Sequence, residues 1–217
     1  MDFDNFYSNQ TDELRQMPGI SYIRIFHASP GTPAVDVYAN DRLIARSLPY
    51  GQFTDYMPMA AGTYNIEVYP AGQKNFPVLQ FSLPLAERKV FTLAIIGMIP
   101  RIGILPVEDE YEPLSPGRTN IRFANLSPNS PSLDLALRAG PNIFTNVGYT
   151  EVSDYRNFPP GRHNFVVRAS NTTTNLLFMP VNLLPRRNLT FYVVGNQGMQ
   201  PGLEVYIPMD GTTYLRT

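Results

Sequence analysis

The chain has 217 residues, of which 43% are hydrophobic, and its 13 Phe and 13 Tyr are spread along the whole length. That is the composition of a folded chain rather than a disordered tail, and the length allows two small domains. With no Cys and two His, a disulfide framework, a thiolate nucleophile, a cysteine-type zinc site and a histidine-rich metal centre are excluded. A formal net charge of −1 gives no general attraction to nucleic acid or to an anionic membrane.

Residues 1–18 are acidic and broken by polar residues, unlike the basic start and apolar stretch of a secretory signal. Within them Phe3, Phe6 and Tyr7 have the spacing of one helical turn, with an extended arm as the alternative, and with Leu14 they form an apolar set that needs burial. This set is a candidate assembly arm. From residue 19 the pattern changes to short alternating or β-branched runs at Tyr22–Ala28, Val35–Ala39, Tyr64–Tyr69, Val78–Leu83 and Val90–Ile96, punctuated by turn residues. The longest apolar run, Phe91–Ile99, is too short to span a bilayer. Residues 107–118 then gather four acidic residues and two prolines, the composition of a solvated linker. Beyond it, runs recur at Asn120–Leu126, Leu133–Leu137, Asn164–Ala169, Leu176–Leu183 and Leu189–Val194.

The recurrence is a true repeat. Ile23–Tyr38 aligns without gaps to Ile121–Ala136 at an offset of 98, pairing Arg24 with Arg122, Ser29 with Ser127, Pro30 with Pro128, Pro33 with Pro131 and Asp36 with Asp134. One slip later Tyr50, Asp55, Tyr56 and Gly62 meet Tyr149, Asp154, Tyr155 and Gly161, and Gly97 falls on Gly195. The expected fold is therefore all-β: two tandem antiparallel β-sandwiches of the immunoglobulin or transthyretin type, residues 19–106 and 119–217, with about seven strands each.

In SPGTPAVD and SPNSPSLD the two prolines frame a rigid corner between strands. Ser29, Pro30, Pro33, Asp36, Ser127, Pro128, Pro131 and Asp134 are read as structural corner residues, the aspartates accepting bonds from corner amides. One carboxylate per corner is too few for calcium. His27 lies near Ser29 and Asp36, but its counterpart is Asn125, which argues for packing rather than catalysis; His163 falls on Tyr64 and is read as strand packing. Lys74 and Lys89 both lie in the first unit, so a lysine isopeptide crosslink is excluded in the second. Phosphate-binding glycine loops and paired carboxylates in a cleft context are absent from the sequence. No catalytic, cofactor-binding or metal-binding residues are assigned.

Residues 1–116 hold 13 acidic and 8 basic residues, net −5, whereas residues 117–217 hold 5 and 9, net +4. Such complementarity favours docking of the two halves, or head-to-tail contacts that propagate.

At HASPGTPAVDVY, Tyr50-Gly51 and AAGTYNIEVYPAG in the first unit, and more loosely at NLSPNSPSLDLAL and PPGRHNFVVRA in the second, the chain resembles the bacterial family of domain of unknown function 4397. The resemblance implies tandem β-rich domains on exported or cell-envelope proteins, and carries over no activity. The acidic N-terminus departs from an export signal; assembly onto a spore from the mother-cell cytoplasm would need none, and a cytoplasmic location is the alternative. Function is read as non-enzymatic: a structural protein of the envelope or spore surface that self-associates, as a homo-oligomer, filament or lattice, alone or with envelope or spore-coat components, without cofactor, nucleic acid or membrane insertion. The alternative is a surface module for carbohydrate or another small ligand, with Tyr50, Tyr56, Tyr149 and Tyr155 stacking on sugar rings.

Overall fold

The computed structural model describes residues 19–110, 116–213 and 215. The candidate arm residues Phe3, Phe6, Tyr7 and Leu14 lie outside them. Eight strands form each unit. The first contains β1 (Ser21–His27), β2 (Val35–Ala39), β3 (Arg42–Leu48), β4 (Met57–Met59), β5 (Gly62–Pro70), β6 (Leu79–Leu85), β7 (Val90–Met98) and β8 (Arg101–Glu108). The second repeats them as β9 (Thr119–Asn125), β10 (Leu133–Leu137), β11 (Asn142–Val147), β12 (Arg156–Phe158), β13 (Gly161–Ala169), β14 (Asn175–Leu183), β15 (Asn188–Val194) and β16 (Glu204–Tyr206). One 3-10 turn, Gly211–Thr213, follows. Among the described residues no helix is long and apolar enough to cross a membrane.

The sheets are ordered β4-β1-β7-β8 and β3-β2-β5-β6 in the first unit, β12-β9-β15-β16 and β11-β10-β13-β14 in the second. Each unit is a sandwich of two such sheets. The antiparallel expectation needs one amendment, since β1 pairs with β7, and β9 with β15, in parallel. Sequence reading also leaves out β3, β4 and β8 with their counterparts. β4 and β12 have only three residues, and β3 (RLIARSL) lacks strict alternation because its register against β2 shifts twice.

Burial along the strands shows how the sheets stack. In β6 and along most of β14 more and less exposed residues alternate, as in a sheet with one face to water. In β1, β7, β9 and β15 nearly every residue is buried, because both faces are covered. One face of β1 and β7 (Ile23, Ile25, Leu93, Ile95) packs on β2 and β5 inside the first sandwich, and the corresponding face of β9 and β15 (Ile121, Phe123, Phe191, Val193) does so in the second. The opposite faces (Phe26, Ala94, Ile96; Ala124, Tyr192, Val194) meet each other in a third core. The chain is thus four sheets deep, with the inner sheet of one unit packed on the inner sheet of the other.

Candidate functional site

The SP–P corners are built as the repeat implies, but their braces are distributed differently. Ser29 Oγ donates to the carbonyl of Gly97 (2.7 Å) and Ser127 Oγ to that of Gly195 (2.8 Å). Each glycine has positive φ, 84° and 85°. A Cβ there would lie 2.2 Å from the Arg101 carbonyl oxygen or 2.0 Å from that of Gly202, so only glycine fits. Pro30 and Pro128 follow the serines directly, and the carbonyls of Pro33 and Pro131 take the corner's closing bonds. His27 Nε2 donates to Pro33 O (3.0 Å), while its Nδ1 accepts from Ser29 N–H (3.4 Å). Asn125 repeats this with Nδ2 to Pro131 O (3.4 Å) and Oδ1 from Ser127 N–H (3.1 Å). An amide and an Nε2-protonated imidazole offer the same donor and acceptor, which explains why Asn replaces His. Burial, opposed by the Pro33 carbonyl, lowers the pKa of His27 and keeps it neutral.

Asp36 and Asp134 do not accept from amides within residues 29–33 and 127–131. Asp36 takes the N–H of Ser47 (2.6 Å) and of Gly72 (2.8 Å). Asp134 takes the N–H of Asn146 (2.8 Å), Asn142 Nδ2 (2.9 Å) and Ser170 Oγ. Ser47 and Asn146 both have positive φ, 46° and 56°, at the bulged ends of β3 and β11. The aspartates therefore clamp the next hairpin rather than the corner itself.

Sequence reading missed the most concentrated polar cluster, which lies between the two inner sheets. Alternation puts Arg24 and Thr92, neighbours across β1 and β7, on the face toward the other unit, and Arg122 and Thr190 likewise on β9 and β15. Arg24 donates to Thr92 Oγ1 (2.9 Å), to the carbonyl of Met209 (3.0 Å) and to Asp210 Oδ1 (3.4 Å). Arg122 mirrors it with Thr190 Oγ1 (2.7 Å), the carbonyl of Glu108 (2.6 Å) and Asp109 Oδ1 (2.7 Å). Each arginine is thus paired with the aspartate that ends the other unit. Both arginine side chains are 5% exposed and both carboxylates 0%.

Tyr56 and Tyr155 complete the cluster. The Tyr56 hydroxyl donates to Asp109, and that of Tyr155 to Asp210 (2.7 Å). The guanidinium of Arg24 lies 4.6 Å over the Tyr56 ring and that of Arg122 4.5 Å over Tyr155. Burial first, and the adjacent carboxylate second, push both phenols well above their usual range. Burial and Asp109 raise Asp210 to about 7, against the pull of Arg122, Arg24 and Tyr155. Thr190 Oγ1 also donates to Asp210 (2.7 Å), and the amide of Gly211 to Asp109 (3.0 Å).

The acidic stretch 107–118 is therefore not solvated throughout. Val107 and Glu108 finish β8, and Asp109 is buried. Nor are all four tyrosines open to a ligand. The guanidinium groups cover Tyr56 and Tyr155, and Tyr50 and Tyr149 pack against the inter-unit core. Beside the ionic cluster that core is filled by unequal residues. Phe26 stacks on Phe53 (3.8 Å between centroids) and packs against Tyr192 (5.4 Å), where the repeat places Ala124 opposite Phe26 and Ala94 opposite Tyr192. At each of these two equivalent positions one unit supplies the large side chain and the other the small one.

The described residues contain no group of three or more His, Asp and Glu placed to hold a metal. An open groove of about 640 Å³ is lined entirely by polar residues, among them Asp134, Asn142, Asn146, Ser170 and Thr172. Its counterpart in the first unit, about 330 Å³, holds Asp36, Tyr38, Arg46 and Lys74 instead.

The chain belongs to the family described as domain of unknown function (DUF4397), whose model matches residues 21–136 and 139–213. No curated protein matches it. Among solved structures it is similar to the C-terminal domain of AlgF from P. aeruginosa, with 21% identity over 43% of this chain and 98% of that one and a TM-score of 0.33. It is also similar to a family CBM26 module of Eubacterium rectale Amy13K in complex with maltoheptaose, with 12% identity over 89% of this chain and 99% of that one and a TM-score of 0.28. A third is an alpha-glucan-binding streptococcal virulence factor, with 11% identity over 91% and 100% of the two chains and a TM-score of 0.28. At these values the likenesses carry no inference about function.

Proposed function

We propose that this member of the family is a non-enzymatic structural protein, a rigid two-sandwich block that self-associates on a cell-envelope or spore surface. The observation that carries the reading is the reciprocal Arg24–Asp210 and Arg122–Asp109 pairing. It commits one buried arginine and one buried aspartate of each unit to holding the units together. The candidate tyrosines nearest those charges are spent in the same contact, and His27 is spent in a corner. The opposite net charges of the two halves favour contact between the second unit of one block and the first unit of the next. Electron microscopy of the purified protein at low and high salt tests this. Filaments or sheets that dissolve as salt rises support it; monodisperse monomers at every concentration and ionic strength oppose it.

A second reading, a binding module for a hydroxyl-rich ligand, is favoured by the polar groove beside Asp134 rather than by the tyrosines. Affinity electrophoresis in soluble polysaccharide, with Thr172→Val as the comparison, distinguishes it: retardation that the variant abolishes would place the site there.

A further inference from the structure

The two units differ at one place where the repeat makes them comparable side by side. In the first, a cleft of about 400 Å³ opens between the edge strands β3 and β4, lined by Leu43, Ile44, Met57, Met59 and Tyr64, with Arg42 at its rim. In the second, the same opening is bridged from within. Arg156 stands where Met57 is; it donates to the carbonyl of Ile143 (2.5 Å) and lies 5.1 Å over the ring of Phe144, which replaces Ala45. Phe158 stands where Met59 is and packs on His163 (5.1 Å) and Phe165 (5.7 Å). The tyrosine and histidine that flank the opening play one role, Tyr64 donating to the carbonyl of Ala60 (3.0 Å) and His163 Nε2 to that of Pro159 (3.0 Å). The frame is the same and the filling is missing from one copy.

The chain also differs in what precedes each unit. Ahead of β9 runs the acidic, proline-bearing stretch 107–118, whereas ahead of β1 run residues 1–18 with Phe3, Phe6, Tyr7, Leu14 and Met17. We infer that the β3–β4 cleft of the first unit is the docking site of this N-terminal segment of the same chain, whose aromatic residues take the place that Phe144, Arg156 and Phe158 fill in the second unit. Position supports the assignment. Ser21 pairs with Met59, so the segment enters β1 one strand away from the cleft wall, a spacing of about 4.8 Å. Its 18 residues reach up to about 60 Å when extended, far more than the path requires. Charge supports it as well. The segment carries Asp2, Asp4, Asp12 and Glu13 against Arg15, and the cleft has Arg42 at its rim and no acidic residue in its lining. The third core, between the two units, is already filled by Phe26, Phe53 and Tyr192 and offers no competing place. This inference is independent of the structural role proposed above.

The absence of cysteine makes the test direct. Asn5→Cys supplies a single attachment point for a nitroxide, and the methionine methyls are followed by NMR in the full chain. Met57 and Met59 should lose intensity while Met179 and Met199 keep theirs. The loss should persist when the doubly labelled chain is diluted with unlabelled protein, since the contact is within one chain. Copying the second unit with Met57→Arg and Met59→Phe, which removes both reporter methyls, should expel the segment and raise the rate of chymotryptic cleavage at Phe3, Phe6 and Tyr7 several-fold. Three results would overturn the inference: unperturbed Met57 and Met59 signals, broadening only when the nitroxide and the labelled methionines are on different chains, or cleavage unchanged by the double variant.

Discussion

Replacing Arg122 by Met keeps most of the apolar stem and removes the guanidinium. Asp109 then stays buried, 0% exposed, with the Tyr56 hydroxyl and the Gly211 amide but without its ion pair. Screening by water is negligible at that burial, so the cost belongs to the class of broken buried pairs, about 3–5 kcal/mol, rather than to surface pairs, about 0–1 kcal/mol. Against a total stability of about 5–15 kcal/mol for a typical fold, that is a large share. Adding Asp109→Asn removes the stranded charge. The double variant should therefore cost less than the sum of the single changes by about 1–3 kcal/mol, as contacting residues do. Urea denaturation followed by circular dichroism and by tyrosine fluorescence gives these differences from the midpoints. Because the pair joins the units, Arg122→Met should also separate the two probes' transitions, which coincide in the parent. A cost below about 1 kcal/mol, or strict additivity, would refute the view that the cluster locks the units.

Asp36→Asn keeps one acceptor oxygen for two amides, those of Ser47 and Gly72, and should cost about 1–3 kcal/mol in the same assay with the fold retained. Gly97→Ala, which meets the Arg101 carbonyl oxygen at 2.2 Å, should cost about 2 kcal/mol or more through the clash and the left-handed backbone; a thermal melt within a degree of the parent would contradict the built geometry. Tyr192→Phe removes a buried hydroxyl that has no hydrogen-bond partner among the described residues, so it should be neutral or stabilising by about 1 kcal/mol. His27→Asn imports the residue of the second corner and should preserve the fold while flattening part of the pH profile. The native imidazole is held neutral, so as pH falls below about 6.5 the unfolded chain takes up a proton that the folded chain resists, and stability is lost. Asp210, raised to about 7, acts in the opposite sense, its contribution fading as pH rises through that value. Subtracting the variant's profile from the parent's cancels the Asp210 contribution and should leave only the acid-side loss.

Legibility in the sequence followed the range of the interactions. The repeat matched Arg24 with Arg122, Tyr56 with Tyr155 and Gly97 with Gly195, and each pair occupies equivalent places in the structure. The corner chemistry was readable because its partners are local: Ser29, His27 and Pro33 lie within six residues of one another. The ionic cluster was not, because the carboxylate that each arginine hydrogen-bonds lies in the other unit, Arg122 meeting Asp210 of its own unit only at 3.9 Å. The carboxylates are also out of step with the repeat: Asp109 and Asp210 are 101 positions apart rather than 98, the segments after Gly97 and Gly195 differing in length. Asp109, standing between Glu108 and Glu110, had the local signature of a solvated linker. Its burial is decided by Arg122 and by the amide of Gly211, which no local pattern reveals. The short strands β4 and β12 escaped for the opposite reason, being too brief to show a period and defined only by their pairing with β1 and β9.

The two sandwiches should behave as one body held by the packed face and its reciprocal ion pairs. A protease site placed between residues 110 and 116, followed by complete cleavage and size-exclusion chromatography with light scattering, measures this most directly. The two halves should co-elute at the mass of the intact chain and separate only in denaturant, or after Arg122→Met in the same background. Dissociation of the cleaved parent into two species at micromolar concentration would contradict the account.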